Sequence, residues 1–480
     1  MAEQHWVAGI DMPELLAARP AKKQPVVDQK QTVNLLGLVE LLHTHVTETL
    51  CEEVFLQTRD AERQREWTLY SLVWFWIAVT IRAPKALTHA LNESQFGGDQ
   101  LVPGVGATSE AFFEKCKGFR SDFFSELFSA LGPRLLSESA AVYAQQVTDL
   151  RQHFPEIWVM DGSQLAAVAH RLKILWKVKG AVLPGRVIAL YDLFRGINRA
   201  FCFEPDAARN ENLLAKEALE LIPEGTLVVA DRLYGMPGYF HEFGKRKIWG
   251  LFRRHGTAKV KIVKVLSRKQ GGRALLEDLL VQVGSGSKGI PQQLIRLIRY
   301  RAGKRKLDLF TSVMDTSKLP ADRAVELYGL RWGIERVFYD LKEVLNLNRF
   351  YAANPNAIAM QVYAAAIVYN AFRVIQGRIG QTHKIAPEWI SPAKLFPKVA
   401  AVSAKLVSLE LGFQETVKAN PAVELVKPQW GDGGFGKTEL GTILVCPKFT
   451  PRTKARHRPR SIWQSFRHIP GGAKLVRKLT

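Results

Sequence analysis

The chain has 480 residues, 47% of them hydrophobic, and its 67 Lys and Arg against 45 Asp and Glu give a formal net charge of +22. That is enough apolar sequence to bury substantial cores, in roughly two to four domains. The charge points to a polyanionic partner, whether nucleic acid, an acidic membrane surface or an acidic protein, and decides nothing about fold. The four cysteines, Cys51, Cys116, Cys202 and Cys446, lie far apart with no CxxC pair. This argues against a zinc site or a disulfide framework and fits a reducing cytosol. No apolar leader-like run appears in MAEQHWVAGIDMPELLAARPAKKQ, so no secretory signal is expected.

Residues 31–150 read as mainly helical. LLGLVELLHTHVTETLCEEVF and SEAFFEKCKGFRSDFFSELFSAL place apolar residues three and four apart, with Thr108 or Ser109 as the cap of the second helix. The Gly- and Pro-rich stretch FGGDQLVPGVGAT (96–108) separates two helical groups. We expect a helical N-terminal domain, 1–150, suited to docking on DNA. Near Pro155 the texture changes. EIWVMDGSQLAAV, RVIALYDLF and INRAFCFEP read as strands, the last two joined by Arg195-Gly196. NENLLAKEALELI then reads as a helix, GTLVVADRLYG as a buried strand, MPGYFHEFGKRK as a helix and KIWGLFRR as a strand. Three strands, helix, strand, helix, strand predict an α/β sheet that begins as a meander and ends with crossovers. From about 256 to 316 the sequence is strand-rich and basic, a β insertion before the next helix. A long apolar helix is expected over 355–378, within a C-terminal region, 351–480, that is basic and mainly helical. The apolar runs at 69–81 and 357–372 are short for a bilayer and read as buried helices, so no membrane association is expected. From Lys448 to Thr480 there is no acidic residue, and Trp463 and Phe466 lie among the cations, which leans this tail toward nucleic-acid contact. Asp192 and Asp340 read as surface charges, with Asp340 a neighbour of the acidic stripe if the helix register slips, and His170 and His255 as ordinary polar residues.

The stretch YGLRWGIERVFYDLK (328–342) places Tyr328, Arg331, Glu335 and Lys342 at offsets of zero, three, seven and fourteen. On a regular helix these fall within roughly 60° of one another. Beside them Leu330, Ile334, Val337, Phe338, Leu341 and Leu345 form an apolar face, which puts Glu335 at the boundary of the core, where an unpaired carboxylate is costly. Two readings stay open. One is an ion pair with Arg331, worth ~0.2–0.5 kcal/mol on a helix. The other brings in two more acids, Asp161 in VMD and Asp231 in VVAD, each ending an apolar strand, where α/β sheets commonly bind ligands. Three carboxylates are hard-oxygen ligands suited to Mg²⁺ or Mn²⁺. Two such ions ~3.5–4 Å apart serve phosphodiester chemistry. Arg331 then offers a fork to phosphate and Lys342 a point charge. Tyr328 can donate to phosphate or stack on a base, and Trp332 can cover a displaced nucleotide or pack in the core.

These residues resemble the DDE transposases of bacterial insertion sequences, specifically the insertion-sequence-4 family. Its Tyr-x2-Arg-x3-Glu-x6-Lys signature is matched by Tyr328, Arg331, Glu335 and Lys342. Asp161 in DGS and Asp231 in ADRLYG look like the first two acids of the triad. The resemblance covers roughly 155–350. It implies a ribonuclease H-like catalytic core, 151–350, interrupted by the β insertion. It also implies cut-and-paste DNA transposition by metal-dependent cleavage and strand transfer, with Asp161, Asp231 and Glu335 as catalytic metal ligands and two Mg²⁺ or Mn²⁺ ions. The implied partners are the terminal inverted repeats and target DNA, bound by a homodimer, in the bacterial cytoplasm at the nucleoid. Some relatives stack a flipped base on a Trp of the β insertion. Residues 256–327 contain no Trp, and Tyr300 or Phe310 are the candidates to replace it.

Competing readings remain. GDGGFGKT (431–438) fits a phosphate-binding loop pattern, but Pro precedes it and strand-like ELGTILVCP follows it, so a glycine-rich loop is the better reading. A metal-dependent endonuclease, or a domesticated DNA-binding regulator, would carry the same residues without strand transfer. A binder of membrane surfaces or acidic proteins would use only the basic tail.

Overall fold

The computed structural model describes residues 37–58, 65–99, 101–139, 141–165, 185–205, 210–271, 274–284, 290–352 and 354–401. The basic tail, the 431–438 stretch, His170 and Cys446 lie outside these residues. Helices come first: α1 Gly37–His45, α2 Glu48–Thr58, α3 Leu69–Arg82, α4 Leu87–Gln95, α5 Ser109–Gly118 and α6 Asp122–Ser137. Their starts follow local chemistry. The Thr68 hydroxyl accepts from the Ser71 amide at 3.1 Å and the Thr108 hydroxyl from the Ala111 amide at 3.3 Å, each satisfying a donor with no partner inside its helix. The aromatics of VWFWIAV are core. Between ring centroids, Phe112 lies 4.6 Å from Phe75 and 5.8 Å from Trp76.

The central segment runs β1 Ile157–Gln164, β2 Arg186–Asp192, β3 Asn198–Glu204, α7 Glu211–Ala218, β4 Leu227–Ala230, α8 Pro237–Lys245 and β5 Trp249–Arg253. This is the element order expected from the sequence. Next come β6 Val260–Gly271, β7 Ala274–Val283, β8 Gln293–Ala302 and β9 Arg305–Thr311. All of these strands join one sheet in the order β3-β2-β1-β4-β5-β9-β8-β7-β6. β1, β2 and β3 are antiparallel neighbours, whereas β1, β4 and β5 are parallel. The β insertion is no separate layer. β9 pairs antiparallel with β5, Phe252 opposite Phe310, and the meander runs outward to β6.

Alternation along β1 and β2 sends side chains to two covers. Trp158, Met160, Ile188 and Leu190 share a core with Leu214 and Ala215 of α7 and with Phe240 and Phe243 of α8. On the opposite face lie α9 Ala321–Gly329, α10 Trp332–Tyr339 and α11 Pro355–Thr382. Tyr191, directly across from Val159, receives a 3.0 Å bond from the Arg373 guanidinium of α11.

By length and composition α11 could cross a membrane, yet its apolar stretch is wholly buried inside the protein. It packs against α3 and α6, so helices before and after the sheet share a core. Its polar residues grip the β2–β3 turn. Asn370 exchanges bonds of 2.9 and 2.8 Å with the backbone of Asn198, and Arg373 donates to the Gly196 carbonyl at 2.9 Å. Gly196 has φ +73°, and the Tyr143 ring fills the space a Cβ would need, so only glycine suits this corner.

Two surface charges expected from the sequence are buried instead. Asp192 closes β2, accepting from the Phe194 and Arg195 amides at 3.0 and 2.9 Å and from Arg199 at 3.2 Å. Asp340 is 1% exposed and paired with Arg336 at 2.9 Å. In both cases a nearby guanidinium offsets part of the desolvation, which still pushes the carboxyl above its ordinary value. Tyr300 and Phe310, the candidates for base capture, are also buried, at 3% and 0% exposure. Both serve as sheet core and neither offers a free face.

Candidate active site

The last parallel pair between β1 and β4 is Met160 with Ala230. Asp161 and Asp231 are the next residues on neighbouring strands, so both acids emerge at one sheet edge. Each is fixed by its own backbone. Asp161 Oδ1 accepts from the Gly162 amide at 2.9 Å, and Asp231 Oδ1 from the Leu233 amide at 2.6 Å, capping the short 3₁₀ turn Arg232–Tyr234. Alternation puts Asp161 and Ser163 on the side covered by α10, and Gly162 on the side of α7.

Arg331, immediately before α10, spans two of the three acids. Its Nη1 lies 3.4 Å from Asp161 Oδ2, and its Nη2 donates to Glu335 Oε1 at 2.6 Å. The ion pair expected within the helix is therefore present, and it extends to the strand-end aspartate. Among the described residues no three His, Cys, Asp or Glu side chains group tightly enough to hold a metal ion in common. The positive group between Asp161 and Glu335 is the Arg331 guanidinium. The three acids nonetheless act on one another. Burial pushes the Asp161 carboxyl up to about 7; Arg331 pulls it back, while the charges of Asp231 and Glu335 raise it further.

The regular helix expected over 328–342 is broken in two places. α9 ends at Gly329 and carries Tyr328. A 3₁₀-like link follows, with Arg331 bonded to the Tyr328 carbonyl at 3.1 Å and Ile334 to the Arg331 carbonyl at 3.1 Å. α10 carries Trp332 and Glu335, and a π turn, Asp340–Val344, carries Lys342. The tight link overwinds the chain and the π turn underwinds it, so a fixed 100° step does not describe where these side chains point. Lys342 Nζ reaches β1, donating to Ser163 Oγ at 2.6 Å and to the Gln164 carbonyl at 2.8 Å. Burial holds its ammonium below the usual lysine range.

Tyr328 is buried, and its phenol is pushed above its ordinary value by burial, opposed by Arg331 and reinforced by Asp231. Arg253, at the end of β5, is also close enough to act on it. Trp332 is half-buried, with its indole Nε1 enclosed and unbonded among the described residues. The structure thus brings Asp161, Asp231, Glu335, Tyr328 and Arg331 into one electrostatic neighbourhood and carries Lys342 to the neighbouring end of β1. Ser163, Gln164 and Arg253 are neighbours that sequence reasoning missed. DGS held a signal for Ser163, two residues beyond Asp161 on the same strand face.

Because ionised Asp161 is disfavoured in the folded chain, its contribution to stability falls as pH rises from about 4 toward about 7 and levels off above. Asp161→Asn is therefore expected to melt higher than the wild type at pH 8 without added divalent ions, and nearly level with it at pH 4. Each tenfold change in proton affinity is worth about 1.4 kcal/mol, so the gain at pH 8 is on the order of a few kcal/mol. Thermal melts across that range check this; a gain independent of pH would reject it.

Residues 153–371 match the family described as transposase DDE domain. A protein named as a transposase in Sinorhizobium fredii is 28% identical over 157 residues, 32% of this chain and 43% of its own length. The Escherichia coli transposase for insertion sequence element IS4 is 24% identical over 34% of this chain and 38% of its own. A Synechocystis protein named as a transposase for insertion sequence element IS4SA is 31% identical over 19% and 28%. The chain thus spans less than half the length of each of these relatives. A solved piggyBac transposase synaptic complex with hairpin DNA aligns over 84% of this chain at a TM-score of 0.38 and 11% identity, too slight a likeness to establish the fold. Residues 153–371, which hold Asp161, Asp231 and Glu335, match the transposase DDE-domain family, and stretches of the chain are similar to transposases of the insertion-sequence-4 type.

Proposed function

We propose that this chain is a DNA transposase that moves an insertion sequence by cutting at the element's ends and joining them to a target. The observation that carries this is the pair Asp161 and Asp231 at one edge of adjacent parallel strands, with Glu335 joined to Asp161 through Arg331, inside a matched DDE-domain segment. The strand order β3-β2-β1-β4-β5, three antiparallel strands then two parallel additions, supports a ribonuclease H-like core extended by the β insertion. We assign the helices of 1–150 to DNA docking, 151–350 to catalysis and 351–480 to DNA contact or dimerisation.

The family works with divalent metal ions, and the donor chemistry of the residues here suits one, although the three acids do not close on a common point in this structure. All three acids offer hard oxygen, and Asp231 and Glu335 lie near enough to Asp161 for their charges to push its carboxyl up beyond the effect of burial. Asp161, Asp231 and Glu335 would hold two Mg²⁺ or Mn²⁺ ions. When bound, such ions activate an attacking oxygen and stabilise a leaving one. The chain's own residues do the rest. Arg331 bridges two acids with one positive charge and has the fork geometry to take a phosphate. Lys342 presents a desolvated point charge beside Ser163. Trp332 has an indole donor with no partner among the described residues and Tyr328 a phenol held among the charges. The partners are double-stranded DNA ends and target DNA, engaged by a homodimer in the bacterial cytoplasm.

The test is strand transfer. Full-length protein, Mg²⁺ and DNA bearing candidate inverted repeats should give joined products that Asp161→Ala abolishes. Cleavage without joining would identify a nuclease instead. Binding without cleavage would identify a DNA-binding regulator.

A further inference from the structure

Behind the aspartates, on the opposite side of the sheet, stands another acid. Glu211 opens α7, where Asn210 caps the helix. Its carboxylate touches elements on both sides of the strand-end gap. Oε1 accepts from the Tyr234 hydroxyl at 3.2 Å, and Oε2 receives Arg186 of β2 at 2.5 Å. The same carboxylate abuts the backbone of Gly162, where an added Cβ would lie 2.6 Å from Oε1. Gly162 directly follows Asp161. Tyr234 is the last residue of the turn that Asp231 caps, and it is fully buried.

The location explains why such a tie is needed. The parallel ladder ends at Met160 and Ala230. Beyond it β1 remains paired only with β2, while the chain after Ala230 leaves the sheet in a 3₁₀ turn. The ladder therefore fixes the two strands only as far as the pair that precedes Asp161 and Asp231. Glu211 bridges that gap, joining the β1–β2 side through Gly162 and Arg186 to the Asp231 turn through Tyr234. A buried tyrosine hydroxyl and a largely buried arginine, 13% exposed on its side chain, require such a partner.

We propose that Glu211 is a positioning residue that sets the spacing of Asp161 and Asp231 and so tunes their joint affinity for divalent cations. It touches no reacting atom and acts through Gly162, Arg186 and Tyr234. This rests on the metal-site reading of the two aspartates. Carboxylates that orient metal ligands in this way typically alter affinity 10–100-fold when replaced. Glu211→Gln keeps an oxygen for Tyr234 but loses the charge facing Arg186, and Glu211→Ala loses both.

The experiment is Mn²⁺ binding by the full-length chain without DNA, followed by electron paramagnetic resonance of the free ion. Near-UV circular dichroism confirms that each variant is folded. Affinity should fall about tenfold in Glu211→Gln and about a hundredfold in Glu211→Ala, and Glu211→Asp should not restore it, since the shorter side chain withdraws from Gly162. Tyr234→Phe should weaken binding by a smaller factor, because Arg186 still holds Glu211. Binding lost in Asp161→Ala yet unchanged in folded Glu211→Gln and Glu211→Ala would overturn the role of Glu211 alone. Binding that survives Asp161→Ala would overturn the metal-site reading, and the role of Glu211 with it.

Discussion

Glu335→Gln is expected to lower DNA strand cleavage by about a thousandfold or more, a loss of roughly 4 kcal/mol of transition-state stabilisation, while DNA affinity stays level or rises slightly. The substitution keeps the length and polarity of the side chain, so α10 keeps its place. Its buried residues Ile334, Val337 and Phe338 are untouched. What disappears is one negative charge, and with it the ionic character of the 2.6 Å bond to Arg331. A guanidinium held by a neutral amide favours a phosphate backbone more, and one fewer carboxylate repels that backbone less. The measurement is a nicking assay on end-bearing DNA beside a binding isotherm at matched salt. Near-wild-type cleavage in Glu335→Gln would reduce the Arg331–Glu335 contact to a helix ion pair of a few tenths of a kcal/mol and remove Glu335 from the site.

The largest stability effect is expected in the β insertion. Arg296 of β8 is 0% exposed and Asp278 of β7 is 2% exposed. Arg296 Nε and Nη2 reach the two Asp278 oxygens at 3.1 and 2.5 Å, and Nη1 donates to the carbonyls of Val313 and Leu319 at 2.9 and 3.0 Å. One side chain thus ties the insertion to the segment that leads into α9 and so to Tyr328. Arg296→Met leaves Asp278 as an uncompensated buried charge and leaves two carbonyls without their donor. It should destabilise the chain by about 3–5 kcal/mol. Replacing both partners, Arg296→Met with Asp278→Leu, should recover a large part of that loss, because removing the stranded charge removes its desolvation cost. Denaturant titration of the two variants decides the matter. If the double variant were no more stable than the single one, the loss would lie in the two carbonyl contacts and not in the charge.

The order of elements through β5 was legible from residue pattern alone. Apolar runs ending in Asp, the Arg195-Gly196 corner and the helical stretch NENLLAKEALELI are local signals, and each element forms where its own residues favour it. Asp192 and Asp340 were misread because an acidic side chain in a sequence carries no sign of what compensates it. Their partners are Arg199 and the Phe194 and Arg195 amides in one case, and Arg336 in the other, and only packing shows that these contacts are enclosed. Tyr300 and Phe310 failed as base-capturing candidates for the same reason, since the side of a strand that a sheet buries depends on what covers it.

The candidate site divides along the same line. By itself the sequence determined which chemistry is present: acids at two strand ends, a third acid four residues past an arginine, and a lysine seven residues beyond that acid. Spacing and residue type suffice there, because strand ends and helix turns are set by short-range sterics and hydrogen bonding. Only the tertiary structure decided how the parts meet. The parallel pairing of β1 with β4 put Asp161 beside Asp231. The 3₁₀ link and the π turn carried Arg331 to Asp161 and Lys342 to Ser163. The packing of α7 behind the sheet brought Glu211 against Gly162 and Tyr234. Those contacts join residues 23 to 179 positions apart, and they exist because the sheet and its covering helices bury their apolar faces together, which no local pattern encodes.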